Sequence, residues 1–341
     1  MNAYLLIIYS FVIIVVNYFL KKNNLLANYS GENHQKFLGK KTIPLSGGLY
    51  LLVGLICIFF NQFILFGFFF FLIFIIGLTS DLKLLNSPKP RFLLQSIIIF
   101  IFIYYSKLNI DSTRIGLLDF FLENFFWSCV FTTFCLMIAV NGTNFIDGLN
   151  ALVLSYYLIL LLILFKLGLL SFINIDDQQI ILLSSLLFFL IILNVLNQLF
   201  LGDSGAYSLG FLFGFFLISI YESNQSISPF FIVLLLWYPA FETLFSIIRK
   251  FILKRSPIRP DSKHFHQLLF FYIQKKFKYS KTLSNNLSSF LIIIYNLVIF
   301  IFSTINIYHS GFQIFLIFLN VAIYIVLYRS LFKKKFQYWI Y

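Results

Sequence analysis

Charge is scarce in this chain. Only 11% of its 341 residues are Asp, Glu, Lys or Arg, and only 12 of them are acidic. A soluble domain carries about a quarter charged residues, so a soluble globule is excluded. Cysteine is also rare: Cys57, Cys129 and Cys135 all fall inside apolar stretches, which argues against a disulfide framework or a zinc site. No basic n-region precedes the first apolar stretch; Lys21 and Lys22 follow it, the pattern expected of a retained span rather than a cleaved signal. No period of 20–50 residues recurs, which excludes a repeat array. The apolar runs are continuous rather than alternating, which speaks against a membrane β-barrel.

What is present is hydrophobic. Sixty per cent of the residues are apolar, and mean hydropathy is +0.93. Stretches near 20 apolar residues read as spanning helices. The expected fold is an all-α, polytopic membrane protein of one domain covering residues 1–341. Eleven candidate spans fall at about 3–20, 43–60, 63–78, 92–106, 120–140, 149–170, 180–201, 206–221, 228–248, 287–307 and 311–331. Loops after odd-numbered spans, with the C-terminal tail, hold 22 of the 25 Lys and Arg. Positive charge stays cytoplasmic, which predicts a periplasmic N-terminus and a cytosolic C-terminus. The net charge of +13 then marks cytosolic loops facing anionic headgroups and an anionic substrate, not nucleic acid. Within residues 266–281, apolar residues alternate with Lys275, Lys276, Lys278 and Lys281, as in a helix lying in the membrane interface.

The same cytosolic side gathers the chemistry, in loops 40–48, 79–91, 141–150, 202–206 and 249–269. In Gly202-Asp203-Ser204-Gly205, the glycines allow a sharp turn with backbone N–H groups near a ligand. Asp203 there suits Mg²⁺ bridging a diphosphate, or Asp203 or Ser204 serves as an N-cap for the next helix. Asn141, Asn144 and Asp147 stand one helical turn apart, a polar stripe that is costly at membrane depth without a partner. Asp81 is ringed by Lys83, Lys89 and Arg91: the cations suit phosphate, and the carboxylate suits a base or metal ligand. Arg255 and Arg259 add bidentate phosphate donors near Asp261, His264 and His266. Two His at i and i+2 of extended chain point to opposite sides, which favours donation to phosphate or sugar oxygens over zinc chelation.

In these segments the chain resembles the polyprenyl-phosphate N-acetylhexosamine-1-phosphate transferases, with the phospho-MurNAc-pentapeptide transferase more distant. The resemblance lies in Pro44 with Gly47-Gly48, SDLKLLNSPKPRFLLQ from Ser80, NFIDGLN from Asn144, GDSGAYSLGF from Gly202, and PAFETLFSIIRK with SPIRPDSKHFHQLL. It covers roughly residues 40–270 in the family's order. It implies transfer of a HexNAc-1-phosphate from a UDP-sugar to undecaprenyl phosphate in the bacterial inner membrane, with UMP released, at the start of lipid-linked surface-glycan (O antigen or capsule type) synthesis. Asp203 and Asp147 would hold Mg²⁺ (Mn²⁺ as an alternative), and Asp81, Asp147 and Asp203 would be catalytic. Lys83, Asn141, Asn144, Arg255, Arg259, Asp261, His264 and His266 would bind substrate. UDP-HexNAc, undecaprenyl phosphate and membrane lipids are the expected partners, with a homodimer allowed. Ser80, Asn150 and Glu242 stand where the family pattern has Asp, and Gln267 where it has a third His-motif residue. Asp at position 80 would restore that pattern and is expected to be tolerated. Two rival readings remain: a transporter or flippase for a lipid-linked or anionic solute, and a catalytically weakened family member.

Overall fold

The protein is described by a computed structural model covering residues 3–27, 43–59, 64–254 and 263–336. Fourteen α-helices run through these residues: α1 (Ala3–Lys22), α2 (Gly47–Phe59), α3 (Ile64–Asp81), α4 (Pro88–Ser106), α5 (Gly116–Leu122), α6 (Phe125–Ile146), α7 (Leu152–Lys166), α8 (Asp177–Val195), α9 (Gly202–Ser223), α10 (Pro229–Leu235), α11 (Trp237–Ile252), α12 (Phe265–Phe277), α13 (Lys281–Ser303) and α14 (Ser310–Phe336). Among the described residues there is no strand, only an isolated antiparallel bridge between Ala27 and Pro44. Six helices (α3, α6, α8, α9, α13 and α14) are long and apolar enough to cross a membrane, and α10 with α11 adds a seventh if that bent pair is one span. The apolar helices α2 and α7 are shorter. The chain is therefore an all-helical membrane protein.

α9 is the axis. Its apolar window is wholly enclosed, which accounts for its being hydrophobic all round rather than on one face. α3, α6 and α2 pack around it. Close approach is written into small residues: a Cβ on Gly77 would lie 2.3 Å from the Cα of Ser204, and one on Gly48 would lie 2.3 Å from Ser204 Oγ. Both glycines press α2 and α3 onto the first turn of α9, which is where the polar residues gather.

Several boundaries differ from those expected from hydropathy. Residues 141–146 are the last turns of α6 rather than a loop, and Gly202 opens α9 rather than preceding it. The stretch 228–248 is broken between α10 and α11 with a 76° bend. Pro239 explains the break: it has no N–H and its ring clashes with the carbonyl four residues back, that of Leu235. That carbonyl instead accepts the Tyr156 hydroxyl at 2.7 Å. The expected interfacial helix exists as α12, but Leu268, Phe270 and Ile273 are buried in protein, against α13 and α14, rather than in lipid. Its basic-aromatic contacts are also internal: Lys335 lies 3.9 Å from the centre of the Phe271 ring.

Candidate active site

Asp81 ends α3, and its carboxylate faces the first turn of α9. Asp203 N–H donates to Asp81 Oδ1 at 2.8 Å, and Ser204 N–H donates to Oδ2 at 3.0 Å. The N-cap residue of α9, Leu201, has no side chain able to satisfy these amides. A carboxylate 122 residues upstream caps the helix instead and meets the positive end of its dipole. Gly202, at φ +77°, is required twice over: its backbone is left-handed, and a Cβ would stand 2.7 Å from Asp81 Oδ2. The cap on α9 is therefore neither Asp203 nor Ser204.

Relieved of capping, the Asp203 side chain turns to three donors on three other helices, α3, α4 and α6. Oδ2 accepts Ser80 Oγ at 2.6 Å and Arg91 Nη1 at 2.5 Å, and Oδ1 accepts Asn144 Nδ2 at 2.7 Å. Arg91 also donates to Ser80 Oγ. Ser80 and Arg91 thus form a neutral-plus-cationic cradle, with Ser80 standing where the family pattern has the first of two adjacent Asp. Asn141, one turn before Asn144, donates to Gln95 Oε1 at 3.2 Å and to the Met137 carbonyl at 3.0 Å. It holds α6 to α4, so only Asn144 of the stripe touches Asp203.

Asp147 is the C-cap of α6. Burial, together with the neighbouring charges of Asp203 and Asp81, pushes its carboxyl well above the usual carboxylate range. Asp81, Asp147 and Asp203 therefore form one electrostatic group. Lys83 lies just beyond Asp81, exposed and in the left-handed region with φ 59°. The cation on Asp203 is Arg91. Residue type alone could not separate Arg91 from Lys83 and Lys89 in one short basic loop; the start of α4 at Pro88 makes the choice.

The histidines fall on one side, not two. His264 precedes α12 and His266 is in its first turn, and the change from extended to helical backbone between them brings the rings parallel, 5.6 Å apart and 11° off coplanar. His266 packs on the loop after α6: a Cβ on Gly148 would lie 2.3 Å from its Nε2. His264 meets the edge of Phe145 at 5.6 Å and shares a 3.0 Å hydrogen bond from Nδ1 to Glu242 Oε1. Arg255, Arg259 and Asp261 lie outside the described residues.

Asn150, another departure from the resemblance, has a structural explanation. Asn286 donates its amide nitrogen to the Val195 carbonyl, which turns its oxygen towards Asn150. Asn150 Nδ2 then donates both to that oxygen at 3.1 Å and to Asn197 Oδ1 at 2.8 Å. Its backbone N–H donates to Asn285 Oδ1 at 2.7 Å. A knot of amides fastens the start of α7 to α8 and α13, and it needs a donor at position 150.

Mg²⁺ takes oxygen ligands and is commonly held by one or two carboxylates with phosphate oxygens and waters. Among the described residues, no three His, Cys, Asp or Glu converge as a closed metal cage. Asp147 and Asp203, near enough for their charges to repel, are the two carboxylates that could serve such an open arrangement.

Residues 63–221 match glycosyl transferase family 4. The chain is 26% identical over 209 residues to a probable undecaprenyl-phosphate N-acetylglucosaminyl 1-phosphate transferase of Bacillus subtilis, covering 58% of this chain and 56% of that relative. It is 31% identical over 71 residues to an undecaprenyl-phosphate alpha-N-acetylglucosaminyl 1-phosphate transferase of Thermotoga maritima, covering 21% and 23%. The chain thus spans about half the length of the first relative and a quarter of the second.

Proposed function

We propose, from the match of residues 63–221 to glycosyl transferase family 4, that the chain transfers a HexNAc-1-phosphate from a UDP-sugar to undecaprenyl phosphate. The observation that carries this reading is the convergence of Asp203, Asp81, Arg91 and Asn144 on the first turn of α9. An oxygen of the lipid phosphate attacks the sugar-bearing phosphorus of the donor, the bridge to the other phosphorus breaks, and UMP leaves. The lipid phosphate is already anionic, so the difficulty is to bring two anions together rather than to remove a proton. Bound Mg²⁺ would supply charge neutralisation on the diphosphate, held by Asp147 and Asp203. Arg91 is placed to receive phosphate oxygens when Asp203 turns to a cation. Asn144 keeps Asp203 oriented, and Asp81 holds the α9 amides aimed at the same place. Lys83, Arg255, Arg259 and the two His are further donors to the diphosphate. Asp261 is assigned to substrate binding by the resemblance alone, as an acceptor, and Asn141 acts by fixing α6 against α4.

On the topology expected from the distribution of Lys and Arg, with the N-terminus periplasmic and the C-terminus cytosolic, this site would lie at the cytosolic face of a bacterial inner membrane, where a water-soluble donor meets a lipid acceptor. The product would begin a lipid-linked surface glycan. One observation favours a second reading: both Asp203 oxygens are already engaged by protein donors, as they would be in a catalytically weakened member that only binds lipid phosphate. Membranes containing the chain, given undecaprenyl phosphate and UDP-GlcNAc, UDP-GalNAc, UDP-FucNAc or UDP-QuiNAc in turn, decide between the two. Release of UMP with one donor, absent in Asp203→Asn, supports transfer. No release with any donor, alongside retained binding of the lipid phosphate, supports the weakened member.

A further inference from the structure

Glu242 lies in α11, 1% exposed, the one carboxylate of the bent pair α10 and α11. Such a group is costly at membrane depth unless fully partnered. Three polar groups from two further elements meet it. His264 Nδ1 lies 3.0 Å from Oε1, the Phe265 N–H donates to the same oxygen at 3.2 Å, and the Tyr324 hydroxyl of α14 donates to Oε2 at 2.6 Å. The Phe265 N–H and the Tyr324 hydroxyl are donors that suit a carboxylate, and His264 Nδ1 completes the set when it carries the proton. The packing around it is aromatic, with Phe241 and Phe265 both against Tyr324 at ring distances of 4.9 and 5.1 Å. Beyond His264 the same line continues to Phe145, the residue after Asn144, and to the parallel ring of His266.

We infer that Glu242 is a positioning residue for His264: the buried carboxylate of α11 fixes Nδ1 as the protonated ring nitrogen, so that His264 acts on the sugar-nucleotide diphosphate through Nε2. The inference rests on the function proposed above for the identity of the ligand, but not for the dyad itself. A carboxylate behind an imidazole sets its tautomer and orientation and favours its cationic form, which donates to phosphate oxygens. Tyr324 in turn holds the far oxygen of Glu242, so the ring's rotation is set from α14, the last helix of the bundle. None of this is visible from the spacing of the two His, because the partner lies 22 residues upstream on a helix that bends away from its predecessor.

A simple staple between α11, α12 and α14 would use the same hydrogen bonds, and Glu242→Gln separates the two roles. Its amide oxygen can still accept from Phe265, so a staple survives, whereas the charge that orders the imidazole is gone. The full chain in lipid nanodiscs, with ¹⁵N-labelled imidazoles, has four histidines to resolve: His34, His264, His266 and His309. His264→Ala assigns the resonance. Protonated Nδ1 on His264 in the wild type, lost or exchanging in Glu242→Gln, is the expected result. In turnover assays, Glu242→Gln should raise the KM for the UDP-sugar about 10–100-fold, the range for losing an orienting partner of a ligand histidine. The KM for undecaprenyl phosphate should stay unchanged. The double variant Glu242→Gln/His264→Ala should be no worse than His264→Ala. An unprotonated Nδ1 on His264 in the wild type overturns the dyad whatever the activity, and so does strict additivity of the two substitutions. Should Glu242→Gln not fold, the wild-type spectrum still decides. Should no UDP-sugar be turned over, the proposed function fails while the spectrum still reports on the dyad.

Discussion

Asp81 and Asp203 face one another at the head of α9 and are satisfied in opposite ways. Asp81 takes two backbone N–H groups of that helix, one of them belonging to Asp203 itself, at 2.8 and 3.0 Å. Asp203 takes only side chains: Ser80, Arg91 and Asn144. One carboxylate builds the site and the other is presented by it.

Removing the builder should cost both stability and rate. Asp81→Ala leaves two helix N-terminal amides without acceptors, worth about 1–2 kcal/mol on the scale of lost caps. Asp81→Asn keeps an acceptor oxygen and should lose less. Both should lower turnover at least ~100-fold by letting the first turn of α9 drift. Thermal unfolding in detergent and UMP release measure the two effects; full activity in Asp81→Ala would make the contact incidental.

Position 80 reverses an expectation drawn from resemblance. Ser80 Oγ donates to Asp203 Oδ2 at 2.6 Å, so Ser80→Asp would set a second carboxylate against the first. A sharp fall in turnover is expected, with partial recovery at raised Mg²⁺. Ser80→Ala removes only one hydrogen bond, about 1 kcal/mol, and should retain most activity. Equal activity of Ser80→Asp and wild type at ordinary Mg²⁺ would sink this account.

Asn150→Asp looks conservative and should not be. A carboxylate cannot donate to Asn197 Oδ1 and Asn286 Oδ1, and it would be repelled by both. The loss should reach about 3 kcal/mol, the upper range for a buried polar group left unpaired. Chemical unfolding reads it directly; an unchanged midpoint would mean that the amide knot rearranges.

Asp147 gives a pH-dependent prediction of definite sign. Its carboxyl is raised in the folded protein, so the folded state binds that proton more tightly than the unfolded chain does. The corresponding stability is present at low pH and is lost as pH rises through the raised value. Without divalent cations, Asp147→Asn should therefore melt above wild type at neutral pH and match it in acid. It should still lower turnover at least ~100-fold if Asp147 supports the reaction. A variant melting below wild type at neutral pH would contradict the electrostatic grouping of the three aspartates.

From sequence alone the chain determined its solvent and which of its polar residues stand out against it. Continuous apolar runs of about 20 residues have one stable form in lipid, because a helix is the only open segment that satisfies its own backbone there. Polar residues at membrane depth are costly enough that Asp81, Asn144, Asp147 and Asp203 could be picked out before any coordinates. What those side chains do was decided only in three dimensions. That Asp81 caps α9, that Arg91 rather than Lys83 meets Asp203, and that Asn150 belongs to an amide knot all depend on contacts between residues far apart in sequence. The stacking of His264 on His266 depended instead on where α12 begins, since one residue of extended chain or helix between them reverses the side to which a ring points. Hydropathy reports how much surface is apolar; hydrogen bonds are directional, and their partners are set by which helices pack together.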